Sequence, residues 1–510
     1  MKGRIVTILA CRRCAPRQES RHYASQVKQM LGRLIQMVWR IKMKKHLCII
    51  TILLFSFILS AQNPITLSSD QHMIYLGAID KTTPVYIIRK DTEGLISTIK
   101  EYYYYIGEEK YGPYDKCYWP TFSPDGKTLA YRAIIDGENH VIAGKERIGP
   151  YDSFYYPIFG WETFAYRAEI GGKWYVIAGK EKIGPYDKCD DLTFTPDGKT
   201  LVYTAQIDGK WYVIAGKEKA GPYDDCSWLT FSPDGKTLVY TAQIDGKWYV
   251  VNGEEKAGPY DKCYWPTFSP DGKTLAYTAE IDGKWYVIAG KEKAGPYDDC
   301  SWLTFSPDGK TLAYTAEIDG KWYVIADKEK TGPYDSCRYP TFSPDGKTLV
   351  YKAEIDGKWY VIADKEKDGP YDDMSYSLTF SPDGKTLVYI AQIDGKWYVI
   401  ADKEKTGPYD DMSYSLNFSP NTLTFSPDGK NLAYKAEIGE KWYVIAGKEK
   451  VGPYDWCDVP IFSPDGKSFA YTVKIDGELK STLIYEGNEY IGSICNNYIV
   501  YYSNNQIFIK

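Results

Sequence analysis

Seven of the eleven cysteines occupy one position of a repeating pattern: Cys117, Cys189, Cys226, Cys263, Cys300, Cys337 and Cys457. A ring of thiolates would suit a soft metal ion, and neighbouring pairs would suit disulfides. The pattern favours neither. Other copies carry Phe154, Met374 and Met412 at this position, and exchange among Cys, Phe and Met marks a buried apolar slot. Ten aspartates, each closing a Gly-Pro-Tyr-Asp, form the second recurring set. A ring of carboxylates would bind cations, but an Asp after a turn more simply accepts hydrogen bonds from nearby backbone N–H groups. Pairs such as Asp224-Asp225 and Asp298-Asp299 lack the alternating spacing of a calcium loop.

Groups for catalysis are scarce. Beyond residue 61 the chain holds two histidines, His72 and His140, in different copies of the pattern. A Ser-His-Asp triad or a histidine-rich metal site is hard to assemble from them, and no Gly-x-Ser-x-Gly elbow occurs. A glycosidase needs two carboxylates about 5–9.5 Å apart, and near-identical copies offer no unique pair. One copy breaks the pattern, with Trp161 and Glu162 where the others keep a turn, and it is the one place where asymmetry could host hydrolysis. The expectation is no catalytic residue, no metal and no cofactor.

Two positions after each Gly-Pro-Tyr-Asp vary while their surroundings stay fixed, and the next position is aromatic in eight of ten copies. Variation on a fixed frame suits a binding surface. The candidates are Tyr118, Trp119, Tyr155, Tyr156, Trp228, Tyr264, Trp265, Trp302, Arg338 and Tyr339. In a ring of blades these links are expected to open onto one rim, together with the Asp-Gly hairpins.

The elements that must position them follow from the period. Gly-Pro-Tyr-Asp recurs at intervals of 37 residues in six of nine cases, which marks an array of one supersecondary unit. In the copy from Trp302, Pro307-Asp308-Gly309 is a turn, and Asp319-Gly320 between two apolar runs is a hairpin signal. Leu312, Tyr314, Ala316 and Ile318 share one face at period two. Trp322 to Ala326 is apolar on both faces, so that strand is covered on both sides. A fourth strand is expected around the Gly-Pro-Tyr-Asp, confined by its proline to an edge or strand end. A small antiparallel sheet covered on both faces and joined by short links is what a propeller blade requires. The expected fold is all-β: a β-propeller of blades of ~37 residues, ten to twelve blade equivalents in all, as two tandem propellers or one large ring.

Phe-Ser-Pro-Asp-Gly-Lys stands at Phe122, Phe231, Phe268, Phe305, Phe342, Phe380, Phe425 and Phe462, with Phe-Thr-Pro-Asp-Gly-Lys at Phe194. Followed by Thr-Leu-Ala/Val-Tyr, the motif resembles the WD40-like (PD40) repeat of TolB-type propellers over roughly residues 101–490. The resemblance implies a propeller and, since TolB-like proteins bind envelope partners, a similar role.

The first 61 residues carry a net charge of +11, which leaves the remainder at −16 against an overall −5. So acidic a body argues against nucleic acid as partner. Residues 1–42 read as an upstream extension, and 43–61 as a signal peptide with a basic start, a short apolar run and small residues at its end. Degenerate strands are expected over 62–100 and closing strands over 491–510. The combined expectation is a periplasmic or secreted, non-enzymatic propeller that binds a protein or cell-envelope partner through one rim, with no stable membrane span once the signal is removed. The alternative is a carbohydrate-active or other hydrolytic propeller.

Overall fold

The computed structural model describes residues 71–509 apart from short turn and loop stretches, of which 413–422 is the longest. The expected signal peptide and upstream extension, together with Trp119 and Glu162, lie outside the described residues. Among the described residues, eleven antiparallel sheets follow one another along the chain. We number these blades 1 to 11; they span 71–114, 116–151, 153–186, 188–223, 225–260, 262–297, 299–334, 336–371, 373–409, 423–454 and 456–509.

Blade 5 shows how the sequence builds one unit. Its strands Asp225–Phe231, Leu238–Ile244, Lys247–Asn252 and Glu255–Tyr260 pair in chain order. The hairpin between the second and third has Asp245 at φ 49° and Gly246 at φ 75°, the left-handed pair that a type I′ turn demands. Period two divides the second strand between neighbours. Tyr240 and Ala242 pack with Val202 and Val213 of blade 4, while Val239 packs with Cys263, Tyr277 and Ala279 of blade 6. Each fully buried aliphatic side chain is worth about 1.5–3 kcal/mol. Stacking neighbours therefore supplies the core that a single four-stranded sheet lacks.

The fourth strand ends in Gly-Pro-Tyr and is the edge of its sheet, as its proline requires. The ladder with the third strand slips there, between Trp211 and Val213 in blade 4. One residue then joins this edge to the first strand of the following blade: Asp224 stands between Tyr223 and Asp225.

The ring closes through its ends. Gln71–Ala78 of blade 1 lies against Glu478–Tyr485, Asn488–Cys495 and Tyr498–Ser503 of blade 11. The array is therefore one eleven-bladed β-propeller rather than two in tandem. First strands of successive blades also approach each other, Asp225–Phe231 with Lys262–Phe268 and Asp299–Phe305 with Ser336–Phe342, and they form the inner side of the ring.

Candidate functional site: an aromatic band on the inner strands

The recurring aspartates act first as clamps. Asp187 at the end of blade 3 accepts from Lys173 Nζ at 2.7 Å and from the Gly209 N–H of the blade 4 hairpin at 3.2 Å. Asp224, Asp298 and Asp335 repeat the arrangement with Lys210, Lys284 and Lys321. The lysine hydrogen bond, then the backbone N–H bonds, hold the Asp187 and Asp224 carboxyls below the ordinary range. These carboxylates already have partners, which makes them joints between blades. The turn motif is likewise self-contained. Ser306 Oγ donates to Asp308 Oδ1 at 2.7 Å and accepts from the Thr311 N–H at 3.0 Å.

The cysteine position is structural too. Cys117, Cys189, Cys226, Cys263, Cys300, Cys337 and Cys457 are free and buried, as are Met374 and Met412, while Phe154 is half-buried. Burial pushes the Cys226 and Cys263 thiols up to about 12. Among the described residues, no three of His, Cys, Asp and Glu converge as metal ligands. His140 is buried beside Arg147, whose guanidinium lies 2.9 Å from Nε2, and burial holds its imidazole below the ordinary value.

The exposed large aromatics of blades 5 to 7 stand on the first strands. In blade 5, Ser227 pairs with Thr241 and Thr230 with Val239, so Trp228 and Leu229 together oppose Tyr240. This is a β-bulge, and Trp228 takes φ 58° within it. The bulge turns Leu229 into the apolar cluster between blades and leaves Trp228 outside. Blades 6, 7 and 8 repeat it with Trp265, Trp302 and Tyr339 at φ 54°, 56° and 57°. Left-handed backbone is rare for bulky residues, and such conformations concentrate where function holds them.

The result is a band of rings along the inner strands. Trp228, Trp265 and Trp302 are 45, 40 and 43 % exposed, whereas most aromatics of the blades are packed away. Trp228 meets Trp265 edge to face at 6.1 Å between centroids, and Trp302 lies 4.2 Å from Tyr339. Tyr264 backs the band, 5.6 Å from Trp265 and stacked on Trp285 at 5.8 Å.

The remaining candidates are more scattered. In blade 3, Tyr155 and Tyr156 are exposed, and the Arg167 guanidinium lies 3.7 Å above the Tyr155 ring. Tyr118 is half-buried beneath Arg132 at 4.6 Å. Arg338 is exposed and lies 5.8 Å from the Trp359 ring. Trp161 is exposed and its N–H donates to the Gly198 carbonyl of blade 4 at 3.0 Å.

Two features escaped sequence reasoning. The bulge was one, although a Trp or Tyr followed by Leu or Pro, then Thr-Phe, marks it in hindsight. The other is a second-strand position that is Thr204, Thr241, Thr278 or Thr315 in some blades and Arg132, Arg167, Lys352 or Lys435 in others. Lys352 is buried and donates to the carbonyls of Met374 and Ser375 at 3.0 and 2.9 Å. Burial lowers its ammonium to about 8.

No known family model matches the chain, and no curated protein does. Among solved structures, it is similar to a Dos1 propeller at 11% identity and a TM-score of 0.30, over 57% of this chain and 90% of that one. It is similar to an oligogalacturonate lyase of Vibrio parahaemolyticus at 14% identity and a TM-score of 0.27, over 58% and 97% of the two chains. A third similarity is to a putative TolB from Agrobacterium tumefaciens, at 19% identity and a TM-score of 0.25, over 37% and 83%.

Proposed function

We propose that this chain is an exported, non-enzymatic scaffold that holds a protein or cell-envelope partner along the aromatic band of its inner strands. The observation that carries the reading is the left-handed aromatic bulge of blades 5 to 8, which exposes Trp228, Trp265 and Trp302 and sets the half-buried Tyr339 against Trp302. Exposed indoles on a rigid sheet lose little conformational freedom on binding, so they suit recognition. The recurring carboxylates and thiols are consumed in joints and core, so among the described residues the exposed rings are the recurring group of the inner wall not so engaged. Export is part of the proposal and rests on the signal-like residues 43–61.

Capture of a partner from envelope extract by wild-type protein and by Trp265→Ala/Trp302→Ala tests the reading. The expected result is a specific partner that the double variant loses while its thermal melt stays intact. Equal capture by both, or turnover of a sugar or peptide by the wild type, would overturn it. Fractionation of cells expressing the full chain tests export; a chain that stays whole in the cytoplasm removes that part.

A further inference from the structure

The cleft between blades 4 and 5 departs from the rest of the band in a way that specifies a ligand. It measures about 710 Å³ and is lined by Asp191, Leu192, Ser227, Trp228, Leu229 and Phe231, among others. Blade 4 bulges at the same register as its neighbours, with Asp190 paired to Thr204 and Thr193 to Val202. Asp191 takes φ 51° at the point where blades 5 to 8 present a ring. One carboxylate thus stands at the end of the row of aromatics.

That carboxylate reaches solvent on one side and is crowded by protein on the other, and desolvation raises it above its ordinary value while Arg167 draws it back. Arg167 is otherwise engaged: it pairs with Asp190, donates to the Cys189 carbonyl at 2.6 Å and lies over Tyr155. Among the described residues no hydrogen-bond donor meets the Asp191 carboxylate. A partly desolvated carboxylate without a donor gains from a cation. The face of an adjacent indole attracts the same cation, and apolar walls accept an alkyl stem below it.

We propose that this cleft receives the ammonium of a lysine side chain of the partner. Asp191 takes the charge, Trp228 covers it, and Leu229 and Phe231 take the methylenes. A compact ammonium on a flexible stem suits one carboxylate better than the planar guanidinium, which favours bidentate partners. The acidic body, at −16 beyond residue 61, draws a basic segment towards the ring. This inference rests on the band being the binding surface and places the partner's charge at one end of it.

Titration calorimetry on the full chain tests it, with the acetylated and amidated peptide Gly-Ser-Lys-Ser-Gly, its Nε-acetyl-lysine counterpart and n-butylamine as probes. The lysine peptide should bind, and acetylation of the lysine should weaken it about tenfold or more, as loss of a charge-assisted contact does. Asp191→Asn should weaken it similarly; asparagine tolerates left-handed backbone, so the bulge survives, and an unchanged melt verifies it. Trp456→Ala, on blade 11 and outside the band, should leave this short peptide unaffected. Equal binding of the acetylated peptide, undiminished binding by Asp191→Asn, or no heat at millimolar peptide would overturn the inference. Butylamine binding as tightly as the peptide would overturn it in favour of a free amine. If these fail while Trp265→Ala/Trp302→Ala still abolishes partner capture, the cleft assignment falls and the band stands. If capture survives the loss of those rings, the band falls.

Discussion

The Tyr223 and Tyr240 hydroxyls lie 2.9 Å apart, although one belongs to blade 4 and the other to blade 5. The tyrosine of every Gly-Pro-Tyr-Asp makes this bond to the second strand of the following blade, from Tyr114 with Tyr131 to Tyr454 with Tyr471. A buried phenol needs a hydrogen-bond partner, and in each pair one hydroxyl donates and the other accepts. Tyr223→Phe should therefore cost about 1–2 kcal/mol, because it orphans the Tyr240 hydroxyl. Tyr223→Phe/Tyr240→Phe should cost less than the sum of the single changes, since no orphan remains. Urea melts of the three variants decide it; strict additivity would mean that the hydroxyls are not coupled.

Glycine before each of these prolines answers a steric demand. A Cβ on Gly221 would sit 2.7 Å from Tyr212 Cδ1 and 2.9 Å from the Trp211 carbonyl oxygen, at φ 133°. Gly221→Ala should destabilise by about 1–3 kcal/mol. Gly246→Ala, whose Cβ meets nothing within 4 Å, pays only for its positive φ and should cost less. Melting temperatures of the pair should rank in that order.

Acid should weaken the ring. The clamp carboxylates are depressed by their lysines, and the turn carboxylates by serine or threonine hydroxyls, with Asp271 and Asp345 lowered from 3.8 to about 2. A group depressed on folding contributes stability that is complete above its unfolded value and is lost as pH falls through the folded one. Asp191 and Asp299, raised by burial, act in the opposite sense, but they are outnumbered. Thermal stability should fall most steeply from about pH 4 towards pH 2, after a smaller loss below about pH 6.5 as the buried His140 takes a proton. A melt that improves across that window would show that the raised groups dominate.

The repeat thiols should be inert while the ring is folded. All seven are buried, and burial pushes Cys117 and Cys457 up to about 12, so thiolate is scarce at neutral pH. Iodoacetamide at pH 8 should leave Cys117, Cys189, Cys226, Cys263, Cys300, Cys337 and Cys457 unmodified in the native protein and modify all of them in urea. Peptide mass mapping reads this out; rapid native labelling at any of the seven would place that thiol outside the core.

Much of the fold was legible because local rules repeat. Asp245-Gly246 between two apolar runs specifies a type I′ turn, and alternation along Leu238–Ile244 assigns its faces without reference to distant sequence. The buried cysteine slot followed from its exchange with Met374 and Met412. Closure was not legible, because the strands that meet, Gln71–Ala78 and those between Glu478 and Ser503, have diverged from the repeat and are hundreds of residues apart. The band was half legible. Trp228, Trp265 and Trp302 stood out as aromatics on a fixed frame, but an alternating pattern cannot announce the extra residue that turns them outward. Lys352 was hidden for a related reason: a charged residue in a strand reads as solvent-facing until the carbonyls of Met374 and Ser375 are seen around it.

The one-residue junction at Asp224 leaves no slack between one module and the next. Losing or duplicating a whole module would preserve every junction, every phenol pair and every clamp. Only the circumference, and with it the number of rings facing the opening, would change. Copy number is thus a dial for the width of the opening, adjustable in steps of one blade with its junction kept.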